Sequence, residues 1–122
     1  MAFNHLKKKQ EREEKGRCAE KWAALFLRLK GYKILKHRYQ NPLGEIDLIL
    51  QKGKLIVFCE VKARQSLNKG LEALAPYQQK RIIKGARCFQ TKYPQFQSYD
   101  FRFDYIIVHG WRCHHLKNAW QS

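Results

Sequence analysis

The sequence predicts an α/β domain in which a mixed sheet is flanked by helices, in the element order α-β-β-β-α-β. Three observations point there. A helical apolar pattern opens the domain. The stretch GEIDLILQKGKLIVFCEVKAR, Gly44 to Arg64, reads as two strands around a tight glycine turn. A second helical pattern is then followed by the alternating run FRFDYIIV.

In order along the chain, residues 1–15 are polar and charge-rich, an arm that is either frayed or an extra helical turn. Its basic residues suit contact with phosphate. Residues 16–122 form the single domain, a size that fits one hydrophobic core. Gly16 to Lys30 is a helix with an apolar stripe at Cys18, Trp22, Leu25 and Leu29 and a second apolar side at Ala23, Ala24 and Leu27. Arg17, Lys21 and Arg28 group as a wet face, which leaves Glu20 on a side that should be covered. Gly31 stops the helix.

Tyr32 to Tyr39 is a strand, followed by the Asn41-Pro42 turn and the hairpin. Gln65 to Leu74 reads as a polar loop. Pro76 to Tyr93 is a helix with proline in its first turn. Ile82, Ala86, Phe89 and Tyr93 point one way, and Lys80, Lys84 and Arg87 the other. Asp100 to His109 is a strand, and Arg112 to Leu116 a short edge strand.

The 122 residues carry 25 Lys and Arg against 10 Asp and Glu, a formal charge of +15. Such a chain repels itself when compact and favours a polyanionic partner, nucleic acid first. No apolar run is long enough to span a membrane, and no apolar stretch follows the basic N-terminal residues as a secretory leader requires. Cys18, Cys59, Cys88 and Cys113 are scattered, without Cys-x-x-Cys spacing. Buried free thiols in a reducing, cytoplasmic setting are expected.

Against that basic background, the hairpin gathers acids. A turn about Gly53 and Lys54 makes Asp47 face Glu60 and Glu45 face Lys62. Facing residues on one sheet face have Cβ atoms about 4.5–5.5 Å apart, and carboxylates so close repel. A proton on one acid, a neutralising Lys62, or a shared divalent cation would each relieve the repulsion. Mg²⁺ suits one or two carboxylates with waters and a phosphate oxygen. A surface lattice of Glu45 with Lys62 and Glu60 with Arg64 is the plainer alternative.

Asp47 followed by Glu60-Val61-Lys62 resembles the PD-(D/E)XK signature of restriction-endonuclease-like nucleases, with Ile46 where that signature has proline. The segments AEKWAALFL, GEIDLI, VFCEVKAR, RFDYIIV and LKNAW, in that order, resemble the YraN-like family, which is similar to archaeal Holliday-junction resolvases. The likeness covers roughly Gly16 to Trp120. It implies the restriction-endonuclease-like core and a metal-dependent endonuclease acting on DNA, branched or structured DNA included. It implies Mg²⁺ or Mn²⁺ on Asp47 and Glu60, with the Val61 carbonyl as a further ligand. Lys62 would orient water or steady the phosphate, and Glu20 would approach the metal through water. Glu45, which faces Lys62, stands one step further back. Ala63 stands where members usually have threonine, and Gln78 where they often have lysine.

Lys80, Lys84, Arg87, Gln78 and Arg64 are the candidate nucleic-acid contacts, the first three as a phosphate-tracking stripe. No base-reading motif is present, and the resolvase likeness implies a homodimer. A non-catalytic nucleic-acid-binding protein on the same fold, and a basic RNA-binding scaffold, are the competing readings. Arg102 and Asp104 share a strand face as a structural pair, and Cys113 with His115 supplies too few ligands for a zinc site.

Overall fold

The computed structural model describes residues 2–122, with side chains from Asn4 onward. Met1, the first residue of the expected arm, lies outside them. Helix α1 spans Ala2–Leu29, so the first helix is longer than its apolar pattern and takes in the charged N-terminal residues. Gly31, at φ +95°, ends it.

The buried side of α1 is the alanine side. Ala19, Ala23, Ala24 and Leu27 are at most 5% exposed, while Trp22, Leu25 and Leu29 are 43%, 46% and 81% exposed. The stripe of Cys18, Trp22, Leu25 and Leu29 therefore faces outward, contrary to what its spacing suggests. Alanines let the helix backbone approach the sheet closely, and the larger side chains are left outside. Glu20 is half-covered on the alanine side, as expected.

Five strands follow in the spatial order β1-β2-β3-β4-β5. They are β1 (Lys33–Asn41), β2 (Gly44–Lys52), β3 (Leu55–Ala63), β4 (Asp100–His109) and β5 (Arg112–Trp120). β3 and β4 are parallel and every other pair is antiparallel, so the sheet is mixed. The last strand extends past Leu116 to Trp120.

The β3–β4 crossover carries a short helix α2 (Leu67–Glu72), capped by the Ser66 side chain, and then α3 (Pro76–Lys92). Part of the expected Gln65–Leu74 loop is thus helical. A Cβ on Gly70 would collide with the Ile107 side chain, so only glycine allows α2 to lie against β4.

Two cores result. α1 covers Leu48, Leu50, Val57, Cys59, Val61 and Ile106. α3 covers Ile46, Ile49, Ile56, Phe58, Tyr105 and Ile107, with Phe89 at the centre of an aromatic cluster. At roughly 25 cal/mol per Å² of apolar surface, these faces supply most of the drive to fold. Among the described residues no helix is long and apolar enough to cross a membrane.

Behind α1 lies a polar network. Arg102 grips the fully buried Asp104 with two bonds of 2.7 Å, and His115 Nε2 lies 2.7 Å from the same carboxylate. Burial alone would raise the Asp104 pKa. The His115 and Arg102 bonds and the Asn118 N–H outweigh it and hold the group at about 2. The Arg102–Asp104 pair is structural, as expected, and both His115 ring nitrogens have partners, Nδ1 lying 2.9 Å from Lys30 Nζ.

Candidate functional site

The β2–β3 ladder has the register expected from a turn at Gly53 and Lys54: Lys52 pairs with Leu55 and Leu48 with Cys59. There it stops. Beyond Leu48, the Asp47 carboxylate accepts the Val61 N–H at 2.8 Å, where strict pairing would set Asp47 opposite Glu60. Strict alternation also fails. Ile46 joins Ile49 in the α3 core, while Leu48 joins the α1 core. The strand rolls at Asp47, so Ile46 lies on the opposite face from the one alternation assigns it.

The neighbouring strand is irregular at the same level. Arg38 falls between the His37–Leu48 and Tyr39–Ile46 pairs, with a left-handed φ of 48°. That conformation is uncommon for a residue bearing a Cβ, and such residues concentrate at functional sites. Arg38 Nε donates to Glu20 Oε2 at 2.7 Å. Glu20 arrives from α1 on the opposite side of Asp47 from α3, and burial raises its pKa, with Asp47 adding to the rise.

Asp47 is the most perturbed acid of the group. Burial, then the Glu60 carboxyl within hydrogen-bonding reach, push it up to about 8, against the Val61 N–H and the Lys62 charge. Near neutral pH Asp47 therefore keeps its proton beside the Glu60 carboxyl group. Glu60 is 7% exposed.

Asp47, Glu60 and Lys62 open with Glu45 into a cleft of about 220 Å³, closed on the far side by Gln78, Arg81 and Ile82 of α3. Among the described residues, Lys62 has no carboxylate within 4 Å and Arg64 forms no ion pair. The surface lattice of Glu45 with Lys62 and Glu60 with Arg64 is not formed among the described residues.

The placement of the expected residues is uneven. Asp47, Glu60, Val61, Lys62 and Glu20 come together, although Val61 enters through its N–H. Gln78 lines the cleft, and its buried Oε1 has no partner among the described residues. Lys80, Lys84 and Arg87 are exposed on α3, as expected, but none lines this cleft. Arg64 lies on the α1 side of β3, in a different groove.

Arg38 and Arg81 are the cations the sequence reading missed. Counting back from the Asn41–Gly44 turn sets Arg38 opposite Asp47, and Arg81 is one helical turn from Gln78; both signals were legible. The thiols also differ from expectation: all four are free, and Cys59 is buried, but Cys18 is exposed.

The donor set fits a hard divalent cation. It has two carboxylates, one of them expensive to ionise alone, with open volume for waters and a phosphate oxygen. The unpartnered Gln78 Oε1 adds an acceptor for a bound water. Among the described residues no third His, Cys, Asp or Glu completes a cage.

The model of the uncharacterised protein family UPF0102 matches residues 19–108. A UPF0102 protein of Paramagnetospirillum magneticum is 40% identical over 117 residues, covering 92% of this chain and 91% of its own. A UPF0102 protein of Rhodopseudomonas palustris is 47% identical over 93 residues, covering 76% and 71%. The matched region holds Glu20 and every residue of the carboxylate cleft, from Glu45 to Ile82. The chain therefore belongs to UPF0102, the PD-(D/E)XK-like YraN family that its hairpin and flanking segments resemble.

Proposed function

We propose that the protein is a metal-dependent endonuclease that hydrolyses phosphodiester bonds of DNA, branched or structured DNA being its preferred substrate. The observation that carries this reading is the cleft that brings the Asp47 and Glu60 carboxyl groups together beside a Lys62 with no carboxylate within 4 Å. Asp47 and Glu60 would hold Mg²⁺ or Mn²⁺. Such an ion, when bound, supplies a Lewis acid for a phosphodiester oxygen and acidifies water.

The chain's own residues do the rest. The Val61 N–H fixes the Asp47 carboxyl group, which would have to shed its proton to hold a cation. Lys62 sets a positive charge against the phosphate and stabilises the charge that builds on it during attack. Gln78 accepts from a water in the cleft. Arg81 lends a phosphate contact at the rim, and Arg38 holds Glu20 in place behind Asp47. Water oxygen would bond to phosphorus as the bond to the 3′-oxygen breaks, the water losing one proton to solvent in the cleft and the departing 3′-oxygen gaining one from it, to leave a 5′-phosphate and a 3′-hydroxyl.

A second reading, a non-catalytic nucleic-acid binder, draws on Arg38. Its guanidinium already neutralises Glu20, so a metal is not the only means of balancing the acids. Cleavage of a four-way DNA junction with Mn²⁺ separates the two. Wild type is expected to cut, with Asp47→Ala and Lys62→Ala slower by at least about 100-fold, the scale on which single charge-stabilising groups act. Equal cutting by wild type and Lys62→Ala would place the activity elsewhere, and intact binding without cutting favours the second reading.

A further inference from the structure

On the other side of β3 from the carboxylate cleft lies a larger groove, about 910 Å³, between α1 and the β4–β5 turn. Its walls are mostly apolar, and two indoles, Trp22 and Trp111, stand 43% and 74% exposed there. Trp22 Nε1 donates to the Trp111 carbonyl at 2.7 Å, which ties α1 to the turn. Arg12, Lys15, Arg64 and Lys69 rim the groove, and no acidic residue lines it among the described residues. Arg112 adds a further cation, its guanidinium 5.4 Å from the centre of the Trp111 ring.

We infer that this groove binds an unpaired DNA strand, with bases stacked on Trp111 and Trp22 and phosphates on the basic rim. Exposed indoles beside cations, with no acid between them, suit a polyanion that also presents flat apolar faces. A duplex keeps its base faces stacked inside and would engage only the rim. An apolar peptide would use the walls and meet an uncompensated positive rim. A polar-to-apolar alternation along the strand matches the groove on both counts.

The position adds a reason. Glu60 and Lys62 point to the α3 side, while Val61 and Ala63 point to the α1 side and Ala63 and Arg64 line this groove. The Arg64 N–H, bonded to the Val108 carbonyl at 3.0 Å, fixes the floor between them. A strand leaving the cleft around the end of β3 enters the groove directly. The choice of DNA, and the groove's use in selecting branched or flapped substrates, rest on the endonuclease reading; the stacking site does not.

The test is binding of fluorescein-labelled ten-nucleotide oligothymidylate in EDTA, followed by polarisation, with blunt duplex and oligouridylate as further probes. Trp111→Ala is expected to weaken oligothymidylate binding roughly five-fold or more, as loss of one base–indole stack requires. It should leave duplex binding within about two-fold, since phosphate contacts remain. The variant keeps the main-chain carbonyl that Trp22 uses, and Trp111→Tyr should restore most of the affinity. Binding is read in EDTA, where cleavage plays no part, so a failure of catalysis leaves this result standing. Unchanged oligothymidylate affinity in Trp111→Ala, equal loss on duplex, tighter binding of oligouridylate, or a Trp111-dependent dimer in sedimentation without oligonucleotide binding would each overturn the inference.

Discussion

Asp47 carries its proton because it is buried, and because the Glu60 carboxyl group meets it at the point where β2 and β3 part. Its folded pKa of about 8 lies above the ordinary 3.8, so between those values the folded chain holds a proton that the unfolded chain has released. Stability from this group is full below about pH 4 and is lost as pH rises through 8. In EDTA, Asp47→Asn should therefore melt higher than wild type at pH 8, by at least about 4 °C, the shift that about 1 kcal/mol gives in a domain near this size. Near pH 4 the two should melt together. Asp104 behaves in the opposite sense. Held at about 2, it contributes stability above pH 4 that is lost as pH falls toward 2. Asp104→Asn strands the Arg102 guanidinium behind α1, at a cost of about 3 kcal/mol in urea unfolding at pH 7.

At the level of elements, α2 and α3 decide what the cleft faces. Gly70 packs against Ile107, and its carbonyl accepts the Tyr105 hydroxyl, so α2 and the start of α3 hang on a glycine contact. Gly70→Ala should lower stability by about 1–3 kcal/mol through overpacking, read as a lower urea midpoint with unchanged slope. The hairpin register, the α3 faces and the β4 boundaries were legible because period-two and 3.6-residue patterns report which side is buried. The outward stripe of α1 was not, since its bulky residues and its alanines are both apolar and spacing alone does not rank them. The roll at Asp47 was also hidden. It substitutes a side-chain acceptor for a ladder bond, and alternation assumes an unbroken ladder. Arg38 stays hidden until strand β1 is paired with β2 across the Asn41–Gly44 turn.

For the whole molecule, a charge of +15 on 122 residues would make phosphate contact the dominant and salt-dependent part of the proposed nucleic-acid binding. Lys80, Lys84 and Arg87 lie exposed along α3, outside the carboxylate cleft, where on the proposed reading they would track a backbone without reading bases. Replacing all three by Gln should weaken duplex binding alike for unrelated sequences and flatten the log–log salt plot by roughly 0.9 for each phosphate no longer neutralised. Glu20, Glu45, Asp47 and Glu60 are the exception to this basic character, gathered where two strand ends, α1 and the left-handed Arg38 meet.

Calorimetric titration with Mn²⁺ at pH 7, repeated in buffers of different ionisation enthalpy, tests the shared-carboxylate centre most directly. One ion should bind with release of about one proton, the one held on Asp47. Asp47→Asn should bind at least ten-fold more weakly and release none. Wild type that takes up no Mn²⁺, or that binds it as tightly after Asp47→Asn, would contradict a divalent cation at this pair.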